Sequence, residues 1–310
     1  MPENNAPAGP SCFYSAFGLQ IASVFAIPEL TPSDASCPVD LTVEFGTVPL
    51  SPESLEKPQM RFEVREPGLY VEIPRVARFL VTGGSTILID PHPDATEEVI
   101  RIFLLGVVMG VLLHQRGYST FHASAAVVTG GAVAFMGSRG YGKSTLTAAF
   151  QARGHKILTD DILAIRPVDG QLWVQPAFPR LKLMPDSSLY LGEEPVVQGD
   201  LHPALRKHSL YVHDSIAQAP CPLRRIYLLD KGEKIAIEPI EGSRAIREII
   251  PHGYMVQFGL EALRAQNPAA FLEQSAALAR TASLRRLVRS EALEDLPQLL
   301  DLIQTDLETE

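Results

Sequence analysis

The amino-acid sequence predicts an α/β protein in which a phosphate-loop core follows an N-terminal, mostly antiparallel β module. Three observations support this fold class: short apolar runs between turn residues before position 94, one long apolar helical run, and alternating strand and helix patterns after it. The 310 residues allow one large or two modest domains. We divide them into a β-rich module at 1–93, a connecting buried helix at 94–118 and a phosphate-loop domain at 119–310.

The composition is that of a globular protein that can bury a core, since 46% of the residues are hydrophobic and 20% are charged. The formal net charge of −9 argues against a general binder of nucleic acid or of membrane surfaces, because both attract basic faces. Cys12, Cys37 and Cys221 have neither metal-ligand spacing nor an even count for disulfides, and no signal-peptide pattern is found. We therefore expect a cytoplasmic protein, and a homo-oligomer is left open.

The first half of the chain is predicted to form short strands followed by one helix. Gly68 and Gly83-Gly84 are turn signals between apolar runs. The helix opens at Asp94, with acidic residues in its first turn and basic residues before Gly117, as helix dipoles favour. Its most apolar part, 102–113, is too short to span a bilayer. The predicted strands of this half are 62–64, 69–73, 77–81 and 86–89.

The stretch GSRGYGKST at 137–145 has the full phosphate-loop spacing between a predicted strand at 132–136 and a helix that begins near Lys143 and ends before Gly154. Glycines let successive N–H groups face an anion, and the helix N-terminus adds its positive dipole end. Lys143 can reach the β- and γ-phosphates of a nucleotide, and the Ser144 hydroxyl can ligate Mg²⁺. The predicted nucleotide-binding residues are Gly137, Ser138, Arg139, Gly140, Tyr141, Gly142, Lys143, Ser144 and Thr145.

Two adjacent carboxylates, Asp160 and Asp161, follow the next predicted strand at 156–158. In phosphoryl transfer one carboxylate holds Mg²⁺ and another accepts the proton of the attacking hydroxyl. Neighbouring strand residues point to opposite faces, so we expect the two to have different tasks, and the residues leave open which does which. A solvated acidic turn is the alternative, and the nearby phosphate loop favours the functional interpretation.

The rest of the chain supplies further strands, helices and basic side chains. Arg180 and Lys182 lie on a predicted strand and are candidates for contact with phosphate or an acidic substrate, whereas the pair Arg224-Arg225 is expected on a solvated face. Asp169-Gly170 predicts a tight hairpin turn. The predicted elements are strands at 162–166 and 171–174, a strand pair at 225–229 and 234–238, a helix from Pro268, a last strand at 284–288 and a terminal helix at 291–307.

Segment 120–166 resembles the HPr kinase/phosphorylase family. The marks are His122 on the strand before the loop, the phosphate loop, the turn Arg153-Gly154-His155 and the paired aspartates. The runs around FLLG, HQRG and HAS, and PRLKL at 179–183, look like the shorter HPr-kinase-like proteins, which include kinases that tailor lasso-peptide precursors.

The resemblance implies an HPr-kinase-like P-loop core and a serine kinase that uses ATP and Mg²⁺. It would make Asp160 the general base, with His122 orienting it and Lys143 at the phosphates, while Ser144 and Asp161 help to hold the metal. The sequence departs from the family at Thr145, where Glu is usual, in lacking the C-terminal signature and in its N-terminal module. We therefore expect a Ser-containing peptide or small protein as substrate rather than HPr itself.

Two other functions are compatible with the same loop. A nucleotide-binding regulatory or assembly protein would use ATP to change shape without transferring phosphate. A small-metabolite kinase would place a small hydroxyl compound in the acceptor position. The aspartate pair together with His122 favours phosphoryl transfer over the first alternative.

Overall fold

The computed structural model describes residues 10–49, 59–191, 208–265 and 267–309, and these form a mixed α/β chain. The chain divides into two units. One comprises Met1–Tyr118 with Phe258–Pro268, and the other comprises Ser119–Gln257 with Ala269–Glu310. The helical stretch at 94–118 therefore groups with the first unit, together with a short segment that follows much later in the sequence.

The first unit contains an eight-stranded sheet, and the four strands predicted at 62–89 are all present. Its strands are β1 (Cys12–Ala16), β2 (Leu19–Ser23), β3 (Thr31–Pro32), β4 (Leu41–Phe45), β5 (Arg61–Arg65), β6 (Gly68–Ile73), β7 (Ala77–Thr82) and β8 (Thr86–Pro91). The strand order is β3-β1-β2-β4-β8-β7-β6-β5. Only β2–β4 and β4–β8 are parallel pairs among these described strands, which confirms a mostly antiparallel module.

The single helix predicted from Asp94 is interrupted, so that prediction was wrong in its continuity. Helix α1 (Glu97–Phe103) and helix α2 (Met109–Gln115) are joined by a π-helical segment, Leu104–Val108. Within it Gly106 has φ −100° and ψ −109°, outside the helical region, and glycine tolerates such a break because it has no Cβ. The N-cap is Thr96 instead of Asp94, since the Thr96 side chain accepts a hydrogen bond from the Val99 N–H at 3.4 Å.

The second unit carries the phosphate loop in its own sheet. Its strands are β9 (Ser119–Val128), β10 (Gly131–Met136), β11 (Ile157–Thr159), β12 (Ile162–Val168), β13 (Gln171–Val174), β14 (Arg180–Leu183), β15 (His208–Tyr211), β16 (Cys221–Lys231), β17 (Ala236–Pro239) and β18 (Ser283–Arg289). Strand β10, which leads into the phosphate loop, pairs antiparallel with β9 and parallel with β16, and β16 pairs parallel with β18. Strands β14 and β15 form a separate antiparallel pair.

One predicted hairpin is confirmed and one predicted strand pair is wrong. Asp169 and Gly170 both have positive φ, +49° and +79°, as the tight turn between β12 and β13 requires. Strands β16 and β17 were expected to pair with each other, but β18 lies between them and pairs with both. A strand from much later in the chain therefore takes the position that sequence proximity suggested for β17.

Helices of the second unit cover this sheet. Beyond α1 and α2 the helices are α3 (Lys143–Ala152), α4 (Pro185–Tyr190), α5 (Gly242–Ile249), α6 (Gly259–Ala265), α7 (Pro268–Thr281) and α8 (Leu296–Glu308), of which α6 belongs to the first unit. The phosphate-loop helix α3 ends as predicted at Gly154, with φ +87°, and the N–H groups of Gly154 and His155 bond back to Gln151 and Phe150. The rings of Phe135, Phe150 and Tyr227 pack in the core beneath it.

The prediction that the pair Arg224-Arg225 lies on a solvated face is wrong for Arg225, whereas Arg224 is half-buried. Arg225 is fully buried on β16 and forms an ion pair with Asp306 of α8. The Tyr227 hydroxyl donates to the same Asp306 Oδ2 at 2.7 Å, and Arg285 lies 3.6 Å from Asp306 Oδ1. We call Arg225, Tyr227, Arg285 and Asp306 the Asp306 cluster. It ties the C-terminal helix to the central strands, because two cations of the sheet converge on one carboxylate of the helix.

None of the helices in the described part of the chain has the length and apolar run that crossing a bilayer requires.

Candidate active site

The phosphate loop connects the end of strand β10 to the N-terminus of α3. Gly140 and Gly142 have φ of +83° and +87°, a left-handed conformation that the loop needs and that other residues adopt only with strain. The Lys143 ammonium folds back over the loop, donating to the Gly137 carbonyl at 2.8 Å and to the Ser138 carbonyl at 3.3 Å. The loop therefore has its cation positioned next to the N–H groups that begin the helix.

Asp160 faces the phosphate loop. The Ser144 hydroxyl donates to Asp160 Oδ1 at 2.8 Å, and the backbone N–H of Lys182 on β14 donates to Oδ2 at 2.7 Å. Only 7% of Asp160 is exposed. Both carboxylate oxygens are thus fixed, and one of them shares a hydrogen bond with the side chain that the sequence predicts as a metal ligand.

Asp161 is held by His122 and by the Lys182 ammonium. Its backbone φ is +99°, an unusual value for a residue with a side chain. His122 Nδ1 of β9 lies 3.1 Å from Asp161 Oδ1, and the Lys182 ammonium donates to Oδ2 at 2.8 Å. Burial alone would raise the pKa of Asp161, but the Lys182 charge and the His122 contact outweigh it and hold the pKa well below its usual range. The carboxylate is therefore ionised at neutral pH.

These side chains line a cleft of about 500 Å³, a size suited to a small-molecule ligand. Most of the predicted site residues line it, whereas Gly137, Ser138, Tyr141 and Arg180 are not among the lining residues. The residues that line the cleft are His122, Arg139, Gly140, Gly142, Lys143, Ser144, Thr145, Asp160, Asp161, Lys182, Met184, Asp186, Ser187, Arg289, Glu291 and Leu293.

Arg180 is a buried cation next to this site. It is 5% exposed, its guanidinium lies 5.2 Å from the Phe178 ring centroid, and its Nε has no hydrogen-bond partner among the described residues. Its charge lowers the pKa of Tyr254, which burial and the charge of Asp161 together raise well above the usual value. Arg180 and Tyr254 therefore belong to the surroundings of Asp161.

His252 and Tyr254 reach the site from a segment that the sequence did not single out. A β-bridge between Phe121 and Gly253 brings them beside strand β9, and the rings of His122 and Tyr254 are 6.4 Å apart between centroids. Burial, together with the charges of Lys143 and His122, lowers the pKa of His252 to about 4. No local pattern marks this segment, because the bridge joins residues that are far apart in the chain.

Two more contacts were absent from the sequence interpretation. The Thr145 and Ser187 hydroxyls are 3.0 Å apart, which links the start of α3 to α4. Arg289, the last residue of β18, donates from Nε to the Tyr141 carbonyl of the phosphate loop at 3.0 Å. No local pattern in the sequence marks Arg289, because this contact joins residues that are far apart in the chain.

The oxygen donors at the loop fit Mg²⁺. The described residues contain no group of three His, Cys, Asp or Glu side chains arranged to hold a metal by themselves. Magnesium instead usually binds one or two protein oxygens and completes its shell with phosphates and water. The hydroxyl of Ser144 and the carboxylate of Asp160, already within 2.8 Å of each other, supply hard oxygen ligands of that kind.

Comparisons with known proteins add a distant likeness. No protein-family model matches the chain. No curated protein matches it either. Among solved structures, the Hpr(Ser) kinase/phosphatase from Coxiella burnetii is similar at 14% sequence identity and a TM-score of 0.32, over 61% of this chain and 97% of that one. The assignment of function below therefore rests on the geometry of the site.

Proposed function

We propose that the protein is an ATP- and Mg²⁺-dependent kinase that transfers the γ-phosphate to a serine hydroxyl of a peptide or small protein. The observation that carries this proposal is that the two adjacent carboxylates have different contacts in the site. Asp160 bonds to the phosphate-loop Ser144, while Asp161 is ionised between His122 and Lys182 in the same cleft. A protein that only bound nucleotide would need the contact between Asp160 and Ser144, but it would not need an ionised Asp161 in the same cleft.

We assign the metal side of the site to Ser144 and Asp160, which reverses the aspartate roles implied by the family resemblance. The reason is the 2.8 Å hydrogen bond between these two side chains. Bound Mg²⁺ would neutralise charge on the β- and γ-phosphates. The Lys143 ammonium adds a second positive charge. When a nucleotide binds, this ammonium would donate to the phosphate oxygens in place of the loop carbonyls.

We assign Asp161 as the group that accepts the proton of the substrate hydroxyl. His122 and Lys182 fix both of its oxygens, so the carboxylate is oriented before a substrate binds. Its low pKa keeps it ionised, and an ionised carboxylate can accept a hydrogen bond from a hydroxyl and hold it in line with the γ-phosphate. The proton passes to Asp161 as the oxygen–phosphorus bond forms and ADP leaves.

The resemblance and the charges beside Asp161 support the proposed substrate class. Lys182 and the buried Arg180 provide positive charge next to the proposed acceptor position. Such groups suit an acceptor that carries its own acidic groups or becomes phosphorylated there. We propose a Ser-bearing peptide or small protein for this reason, with Arg180 and Lys182 as substrate- or phosphate-contacting residues.

The test is phosphate transfer from labelled Mg·ATP to Ser-containing peptides, followed by mass spectrometry. We expect Asp161→Asn to lower the rate by about 10³-fold while ATP affinity changes little, because it removes the proton acceptor and not the nucleotide site. Asp160→Asn should instead weaken the binding of Mg²⁺, so that transfer requires a higher Mg²⁺ concentration. The matched control is Asp169→Asn, an exposed carboxylate in the β12–β13 turn where Asn tolerates the same positive φ.

The outcomes separate the three candidate functions. Transfer to serine that Asp161→Asn abolishes supports the kinase. Tight ATP binding with no transfer to any peptide or small hydroxyl compound contradicts it and favours a regulatory or assembly protein. Transfer to small hydroxyl compounds alone favours a metabolite kinase.

A further inference from the structure

Arg289 places a positive charge against the phosphate loop. Its Nε donates to the Tyr141 carbonyl at 3.0 Å, and its Nη1 donates to the Ser290 carbonyl at 2.9 Å, so both acceptors are neutral. No carboxylate among the residues that the structure describes forms an ion pair with it. Glu291, two residues away, is paired with Lys231.

This guanidinium is also largely removed from water. Arg289 is 8% exposed, and burial lowers its pKa from the ordinary value of arginine even though Glu291 pulls the other way. A buried charge that is satisfied only by carbonyl dipoles is costly, and proteins normally pair such a charge. The pairing partner is therefore expected to be an anion that comes from outside the chain.

The third nitrogen of Arg289 lies where such an anion would bind. A Cβ placed on Gly142 would lie 2.6 Å from Arg289 Nη2 and 2.9 Å from Cζ, so the guanidinium packs against this glycine. Gly142 is the N-cap of α3 and directly precedes Lys143. Arg289 also lines the same cleft as Lys143 and Ser144. It therefore approaches the anion-binding end of the helix from the side of β18.

We propose that Arg289 is a phosphate-binding residue, with Nη2 taking a phosphate oxygen of a nucleoside di- or triphosphate. Its Nε bond to the Tyr141 carbonyl also ties the guanidinium to the phosphate loop. The absence of a side chain at Gly142 leaves room for the guanidinium. This inference rests on the proposed function, because it takes the nucleotide to bind at the phosphate loop.

The experiment compares two substitutions of similar length and different charge. Arg289→Lys keeps the positive charge, and Arg289→Met removes it. The dissociation constants of Mg·ATP and Mg·ADP are measured by calorimetry on the full chain. We expect Arg289→Met to weaken both by about ten- to a hundredfold, because a charge-assisted hydrogen bond is lost, and Arg289→Lys to stay within about threefold of wild type.

A purely structural Arg289 gives a different result. Neither Lys nor Met can bridge the carbonyls of Tyr141 and Ser290, so both variants would then lose affinity equally, and that outcome overturns the proposal. Unchanged affinity in Arg289→Met overturns it as well. If Arg289→Met does not fold, Arg289→Gln replaces it as the neutral variant.

The control is Arg286→Gln on the same strand, whose guanidinium pairs with Asp230 and Glu248 and does not line the cleft. We expect its nucleotide affinity to match that of wild type. A wild-type protein that binds neither Mg·ATP nor Mg·ADP would overturn the proposed function together with this inference. If wild type binds nucleotide and the charge at position 289 does not change the affinity, the inference alone is overturned.

Discussion

Two carboxylates of the second unit have similar surroundings and opposite uses. Asp161 and Asp306 each lie near two basic side chains and a tyrosine, and their side chains are similarly shielded, at 21% and 15% exposure. The partners differ. Arg225 in the Asp306 cluster is fully buried, whereas His122 and Lys182 beside Asp161 are about a quarter to a third exposed and line the cleft.

The comparison shows that access to the partners, rather than burial of the carboxylate, separates an anchor from a candidate reactive group. Asp306 receives both Arg225 and the Tyr227 hydroxyl on one oxygen, and the Arg225 guanidinium also bonds to the Asp306 backbone carbonyl. Asp161 has a positive φ just after the short strand β11, and its neighbours His122 and Lys182 line the cleft, where a substrate can approach them. Substitutions at the two centres should therefore affect different properties.

The largest effect is expected on stability. Asp306→Asn removes the carboxylate that compensates the buried Arg225, and breaking a buried pair from one side costs about 3–5 kcal/mol. Chemical denaturation measures this loss, and the folded fraction should still bind nucleotide. The matched control is Asp301→Asn on the same helix, where an exposed ion pair with Arg153 contributes less than about 1 kcal/mol. Equal losses in the two variants would contradict the anchor role.

A smaller effect is expected on the pH dependence of catalysis. Lys182→Met removes a charge that lowers the pKa of Asp161, so that pKa should rise. Asp161 acts when ionised, and kcat/KM is therefore lost as pH falls through its pKa. The acid limb of the kcat/KM profile should move to higher pH in Lys182→Met. It should stay in place in Lys182→Arg, which keeps the charge, and in Lys156→Met, which serves as a surface control. An unmoved limb in Lys182→Met would remove Asp161 from the role of proton acceptor.

The smallest effect concerns His252, whose pKa is lowered by burial and by the charges of Lys143 and His122. Its folded pKa of about 4 lies below the unfolded value of about 6.5, so the unfolded chain gains a proton first as pH falls and stability declines between these values. His252→Gln removes this loss. We expect its unfolding free energy to fall less with acid than that of wild type, by about 1 kcal/mol at pH 5, because solvent screens a partly exposed side chain. Parallel pH profiles for the two proteins would show that His252 is not held neutral.

The features that the sequence predicted correctly depend on neighbouring residues. The phosphate-loop strand and helix, the Gly154 end of α3 and the Asp169-Gly170 turn each follow from local backbone requirements. The placement of β18 between β16 and β17, the burial of Arg225, and the arrival of His252 and Arg289 at the site depend on contacts between distant segments. No short pattern encodes such contacts, so the aspartate pair was visible in the sequence while its full surroundings were not.

The first unit cannot be completed during synthesis until helix α6, Gly259–Ala265, has been made. This helix belongs to the first unit and packs on β5, and the Phe258 ring before it lies 6.2 Å from that of Phe62, centroid to centroid. A ribosome that has passed residue 118 needs on the order of ten seconds more to reach this helix. During that time β5, the strand at one edge of the sheet, lacks the helix that packs on it, and an edge strand without cover is a site for unwanted strand pairing.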